Sequence, residues 1–254
     1  MALFIIFTIT GLNAKEAARE ILKYSEAVIT VKITSRYQME AGGREMLKHE
    51  NVFEATGTVI SPDGLSVLSL ANTDPTRLFT GFPPGLDMPR RSWGSSITDI
   101  KMVMADGEEI PAEVLLRDKD LDLIFIRPKV KRKFVSLDLS HEMRPEVMEP
   151  IFILSRLGRV ADRSPFISLA HIQAIVEKPR LFYVSSLDGA ENGIGAPVFT
   201  TDGKIIGIVV LRIKLKRGFS YGNPFGGISQ MGILPVILPA KLVLEVARQA
   251  EEVK

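Results

Sequence analysis

From Thr56 onward the sequence is a succession of short runs rich in β-branched and aromatic residues, each closed by turn-forming residues. The runs are TGTVI (56–60), LSVLSL (65–70), IKMVMA (100–105), AEVLLR (112–117), DLIFIR (122–127) and EPIFILSR (149–156). SLAHIQAIVE (168–177), LFYVSS (181–186), APVFT (196–200), KIIGIVVLRI (204–213) and MGILPVIL (231–238) continue the series. An earlier run, AVITVKIT (27–34), has the same character. Such side chains fit a pleated, half-buried surface, and their spacing predicts an all-β sandwich or a pair of β-barrels. Pro62-Asp63-Gly64, Asp106-Gly107 and Asp202-Gly203 supply the turns. Two runs flank Thr201-Asp202-Gly203-Lys204 and predict a β-hairpin there.

Helical periodicity is confined to the two ends. Ala17, Ala18, Ile21 and Leu22 share one face of a helix expected near 15–24. Leu242, Val243 and Val246 do so in one expected at 240–252. Residues 36–52, with Gly42-Gly43, read as a loop or hairpin excursion. Residues 73–97 and 214–230 read as long loops; the first holds the single tryptophan, Trp93. The basic run Lys129, Lys131, Arg132 and Lys133 reads as a solvated hairpin tip. Arg90-Arg91 beside Trp93 suits either a recognition patch or a loop anchored by its tryptophan.

At 254 residues the chain holds one large domain or two small ones. Its 32 Lys+Arg against 30 Asp+Glu leave a net charge of +2, without the basic excess of a nucleic-acid binder. It has no cysteine, which excludes disulfides, thiolate metal sites and cysteine nucleophiles. The three histidines, His49, His141 and His171, are scattered, so no metal site and no cofactor is expected. Residues 1–14, MALFIIFTITGLNA, carry no charge, and their apolar run is too short to span a bilayer. They match the apolar core of a signal peptide, with Ala14 closing a cleavage site. The expected layout is a signal peptide at 1–14 and an exported, periplasmic or extracellular domain at 15–254 with no integral membrane span.

Four segments, in order, resemble the trypsin-fold peptidases of the Do-like (HtrA-type) group. Gly57-Thr58-Val59-Ile60-Ser61-Pro62-Asp63-Gly64 looks like the strand and turn that lead to the family's catalytic histidine. Ala105 through Val114, followed by Arg117-Asp118-Lys119-Asp120-Leu121-Asp122-Leu123, is similar to the block that carries its aspartate. Leu157-Gly158 through His171-Ile172-Gln173-Ala174-Ile175 looks like the strand pair after the domain crossover. Asn192-Gly193-Ile194-Gly195-Ala196-Pro197-Val198-Phe199, then Asp202 to Ile208, resembles the block around its serine. The resemblance implies two packed six-stranded antiparallel barrels, one at about 25–130 and one at about 145–238, with the site between them. No PDZ module of the kind many relatives carry is expected after the closing helix.

The same resemblance implies a degenerate triad. The reaction needs a serine nucleophile, a histidine to take its proton and a carboxylate to orient the histidine. Ile194 stands at the serine position, and Ala71 or Asn72, depending on a one-residue gap, at the histidine position. Asp122 is retained. The nearest upstream hydroxyls, Ser185 and Ser186, lie in an expected strand. His171 reads as a hydrogen-bonded structural histidine. The turn Asn192-Gly193-Ile194-Gly195 either keeps a vestigial oxyanion hole, from the N–H groups of Asn192 and Ile194, or keeps its glycines for the turn alone. Deprived of histidine, Asp122 needs another donor, and an Asn72–Asp122 hydrogen bond is expected. The expected function is a non-catalytic homologue that binds a polypeptide or protein partner or scaffolds a complex. The alternative is an active serine-type endopeptidase with an unrecognised nucleophile.

Overall fold

The computed structural model describes residues 14–41, 44–73, 91–186, 193–213 and 233–252. Helix α1 (residues 14–22) buries Ile21 and leads into the first strand. Six strands follow: β1 (Val28–Ala41), β2 (Arg44–Val59), β3 (Ser66–Ser69), β4 (Arg91–Val103), β5 (Glu109–Asp118) and β6 (Leu123–Pro128). They close as an antiparallel barrel in the order β1-β2-β3-β6-β5-β4. An extended connection leads to β7 (Pro150–Arg156), β8 (Pro165–Val176), β9 (Phe182–Ser185), β10 (Pro197–Thr200), β11 (Ile205–Ile213) and β12 (Ile233–Pro239). These close in the order β10-β11-β12-β9-β8-β7, and helix α2 (Ala240–Glu252) ends the chain's described part. The all-β, two-barrel expectation is thus the observed architecture.

Alternation along the strands sends one set of side chains into each barrel. Ile29, Val31, Ile33, Leu68 and Ile124 fill the first, and Ile151, Ile153, Ile172, Val198 and Ile237 the second. A third cluster lies outside both interiors and joins them. Val28, Leu123 and Phe125 of barrel one meet Leu154, Phe199 and Leu238 of barrel two, along with Val243 and Ala247 of α2. Strands of both barrels are therefore apolar on two faces, which is why their sequence runs are continuous rather than alternating. The two barrels are also linked by Arg156, whose guanidinium donates to the carbonyls of Ser25 (2.7 Å), Arg163 (3.0 Å) and Val28. Burial pushes the Arg156 guanidinium below its ordinary range. Arg163 reaches Glu54 of β2 at 2.5 Å, and that carboxylate holds the Arg163 guanidinium above its ordinary range.

Of the two readings of residues 36–52, the hairpin is the one observed: β1 and β2 continue through them as its arms, paired from Val28↔Thr58 out to Ala41↔Arg44. Other local expectations need correction. β4 starts at Arg91, so Trp93 belongs to a strand rather than a loop, because twelve residues of β4 find partners on β1. The remainder of that expected loop, including Arg90, and the expected loop at 214–230 lie outside the described residues. The basic run at 129–133 is no hairpin tip. It opens the connection between the barrels, exposed as expected, with Arg132 paired to Glu108 at 2.6 Å and lying over the Phe134 ring. The expected signal peptide lies outside the described residues except for Ala14. Among the described residues no helix is long and apolar enough to cross a membrane.

Candidate functional site between the barrels

Asp122 sits in the turn between β5 and β6 with a left-handed backbone, φ +59°. Aspartate tolerates that conformation better than most residues. The turn drives its carboxylate inward, where the residue is 4% exposed. Oδ1 accepts from the Ala71 N–H at 2.8 Å, and Oδ2 from the Leu211 N–H at 3.0 Å. The Ser69 hydroxyl also donates to Oδ2. The Leu70 N–H meets the Asp122 carbonyl at 2.8 Å. One carboxylate thereby gathers the end of β3, the following turn and β11 of the other barrel.

That following turn is a single 3-10 turn, Ala71–Thr73, closed by Thr73, whose N–H and hydroxyl both donate to the Leu70 carbonyl at 3.0 and 2.8 Å. Ala71 is buried within it and Asn72 is half-buried. The Asn72 amide does not serve Asp122 as expected. Its Nδ2 donates to the Ile194 carbonyl at 3.3 Å. The donor nearest in sequence that reaches Asp122 is the Ala71 backbone, whose position a 3-10 turn sets without any side-chain search.

Ile194 lies in the tight turn ahead of β10. The Ala196 N–H donates to the Gly193 carbonyl at 2.8 Å and the Gly195 N–H to the Val209 carbonyl at 2.7 Å. The Thr58 hydroxyl of barrel one holds the Gly195 carbonyl at 2.8 Å. Gly195 has φ +91°, and a Cβ there would lie 2.1 Å from the Thr56 carbonyl oxygen. The glycine is required by the approach of the two barrels as well as by the turn. Among the described residues no acceptor takes the Ile194 N–H. Asn192, the other expected oxyanion donor, lies outside the described residues.

The structure therefore brings Ala71, Asn72, Asp122, Gly193, Ile194 and Gly195 to one place, from both barrels. The histidines go elsewhere. His49 is exposed on β2 opposite Tyr37, and His141 is exposed in the connection. His171 is also exposed, on β8, not the structural histidine expected; its backbone N–H donates to the Ser186 hydroxyl at 3.2 Å. Ser185 is buried at the end of β9. Among the described residues no cluster of His, Asp or Glu has the makings of a metal site. Ser69, Leu211 and Thr58 belong to the site and were missed from the sequence. Ser69 carried a faint signal, a hydroxyl within an otherwise apolar strand run; Leu211 acts through its backbone, to which its side chain gives no clue.

Beside Asp122 a cavity of about 210 Å³ opens between the barrels. Leu121, Val210, Leu211, Ile213, Val236 and Leu238 give it apolar walls, and Lys119, Asp120 and Arg212 charged ones. The Arg212 guanidinium lies over the Phe182 ring, 4.8 Å from its centroid. On β11 pairing with β10 ends at Ile208, and the 193–196 turn takes up Val209. Leu211 to Ile213 thus run along this cavity paired only with β12 on their far side, among the described residues.

Two barrels, an inter-barrel carboxylate and a glycine turn facing it define the trypsin-like class. The chain belongs to the trypsin-like peptidase domain family, which it matches over residues 55–208. Its fold is similar to that of an HtrA-type protease, AlgW, solved with a decapeptide: TM-score 0.60 at 16% identity, covering 93% of this chain and 67% of that one. It is also similar to the MamO protease domain from Magnetospirillum magneticum in its apo form. There the TM-score is 0.50 at 13% identity, covering 87% of this chain and 96% of that one. No protein of curated function matches the chain in sequence.

Proposed function

We propose that this protein is a catalytically inactive trypsin-like peptidase homologue, exported to the cell envelope, that binds a polypeptide partner or scaffolds a complex. The observation that carries the reading is Ile194 at the tip of the glycine turn, its carbonyl taken by the Asn72 amide. Isoleucine offers no lone pair for acyl transfer and an asparagine amide no base near neutral pH, so neither proton transfer nor covalent catalysis has a group to perform it. Asp122 is occupied by three protein donors and acts as a strut. What persists is suited to binding. The edge of β11 at Arg212–Ile213, which no strand covers among the described residues, can pair with an extended peptide, the cavity beside it, with both apolar and charged walls, can take a side chain, and the Ile194 N–H can meet a carbonyl. The uncharged segment at 1–14 supports export.

The test is incubation with unfolded casein and with a serine-directed fluorophosphonate. Saturable casein binding without cleavage and without labelling is expected. Stoichiometric labelling of any serine would overturn the reading in favour of an active serine-type endopeptidase using another nucleophile.

A further inference from the structure

The backbone of β11 turns alternate residues to its open side. Val209 meets the 193–196 turn with both its N–H and its carbonyl, and the Leu211 N–H reaches Asp122. Strand alternation then puts the N–H and carbonyl of Ile213 on that side and turns those of Arg212 toward β12. Side chains alternate between the two faces of the same strand. Val209 packs inside barrel two, whereas Val210 belongs to the cluster between the barrels. Arg212 shares the face of Val210. It lines the cavity beside Asp122, and its guanidinium lies over the ring of Phe182, a member of that same cluster. The ring holds the half-buried cation in place without neutralising it. Among the described residues no carboxylate is ion-paired with Arg212. The other charged walls do not compete for its role. Lys119 and Asp120 are adjacent, exposed and opposite in sign, and the Asp122 carboxylate is engaged by Ser69, Ala71 and Leu211.

We propose that Arg212 makes this site selective for an acidic segment, with a Glu or Asp of the bound polypeptide seated in the cavity beside the guanidinium. The inference rests on the peptide-binding reading above and adds the chemistry of the ligand. An extended chain laid on the β11 edge hydrogen-bonds to Ile213. Its residue opposite Arg212 presents its side chain to the same face as Arg212, with the two Cβ atoms about 4.5–5.5 Å apart. An opposite charge at that place is the stabilising cross-strand pair, and a like charge the destabilising one. A guanidinium takes a carboxylate through two parallel N–H···O bonds, and partial burial keeps water from screening them. The cavity, about 210 Å³, has room for the side chain, and Leu121, Val236 and Leu238 receive its methylenes.

The probe is fluorescent, dephosphorylated α-casein, titrated with the full chain and followed by anisotropy. It is compared with the same casein after its carboxyls have been converted to methylamides. Neutralising the casein should weaken binding roughly tenfold, the loss of one charge-assisted pair. Arg212→Gln should weaken binding of the carboxylate form by the same factor and leave binding of the methylamide form unchanged. Arg212→Glu should invert the preference. Arg248→Gln removes the same charge from the exposed face of α2 and should change nothing, which separates the pocket from the net charge of the chain. Circular dichroism checks that each variant keeps its β content. If neither casein binds the wild-type chain, the peptide-binding reading falls and this inference with it. If both forms bind alike, if Arg212→Gln weakens both equally, or if Arg248→Gln weakens binding as much, the inference alone is overturned.

Discussion

The Asn72 amide nitrogen donates to the Ile194 carbonyl oxygen across the junction of the two barrels, at 3.3 Å. A hydrogen bond between a side chain and a turn backbone stands where, by resemblance, a histidine would address a serine. If inactivity comes from these two side chains alone, Ile194→Ser should remain unlabelled by a fluorophosphonate, since the new hydroxyl would lack a base. Combining it with Asn72→His should produce slow labelling. A single Ile194→Ser protein that is labelled as fast as the double variant would show that the base lies elsewhere.

Asp122 is expected to be structural. Asp122→Ala removes the acceptor of three donors drawn from both barrels and should cost roughly 2–5 kcal/mol, the range for leaving buried donors unsatisfied. Denaturant unfolding followed by circular dichroism measures it. A loss under about 0.5 kcal/mol, as for an ordinary surface substitution, would contradict the strut role.

Gly195 and Gly203 both have positive φ, +91° and +78°, yet should respond differently. A Cβ at Gly203 meets nothing within 4 Å, so Gly203→Ala should cost about 1 kcal/mol from conformation alone. At Gly195 the added carbon strikes the Thr56 carbonyl, and barrel-one backbone must move. Gly195→Ala should therefore lose several times as much, or fail to fold, with thermal unfolding as the measurement.

Arg156→Ala should loosen the barrels from each other. It removes donors to three carbonyls, one on the segment before β1, one on β1 and one near β8. A loss of about 2–4 kcal/mol is expected. Arg156→Lys should recover little, because an ammonium cannot span the fork that the planar guanidinium fills.

Acid should weaken barrel one through Glu109. Hydrogen bonds from Lys32 (2.6 Å) and Lys101 (3.1 Å) hold its carboxyl below its ordinary value of 4.5. A depressed folded pKa means the stabilisation is complete above the unfolded value and lost as pH falls through the folded one. The thermal midpoint of Glu109→Gln should lie below that of the parent at about pH 6 and converge on it near pH 3. A gap that widens on acidification would reverse the sign. The effect should be small, because the pair is a third exposed and salt-screened.

Local chemistry determined the elements. The β-branched runs, the Asp202-Gly203 turn and the two amphipathic ends carry their structure in spacings of a few residues, so they were legible without a partner in view. The strand runs read from 65–70, 122–127 and 204–213 became β3, β6 and β11 with shifts of only a residue or so. The resemblance extended this to the pairing of barrels and to the meeting of Asp122, Ile194 and the 71–72 turn. Partner choice within that meeting was decided by tertiary structure. Asn72 went to the Ile194 carbonyl because the 3-10 turn presents the Ala71 N–H, not the Asn72 side chain, to a carboxylate swung inward by φ +59°. Leu211 joined as a backbone donor from 89 residues away. The polar residues past 36 left loop and hairpin both open, and backbone hydrogen bonds between β1 and its neighbours β2 and β4 decided for strand regardless of hydrophobic pattern. A sequence displays its side chains; hydrogen bonds made by the main chain between distant segments exist only once the fold has set those segments side by side.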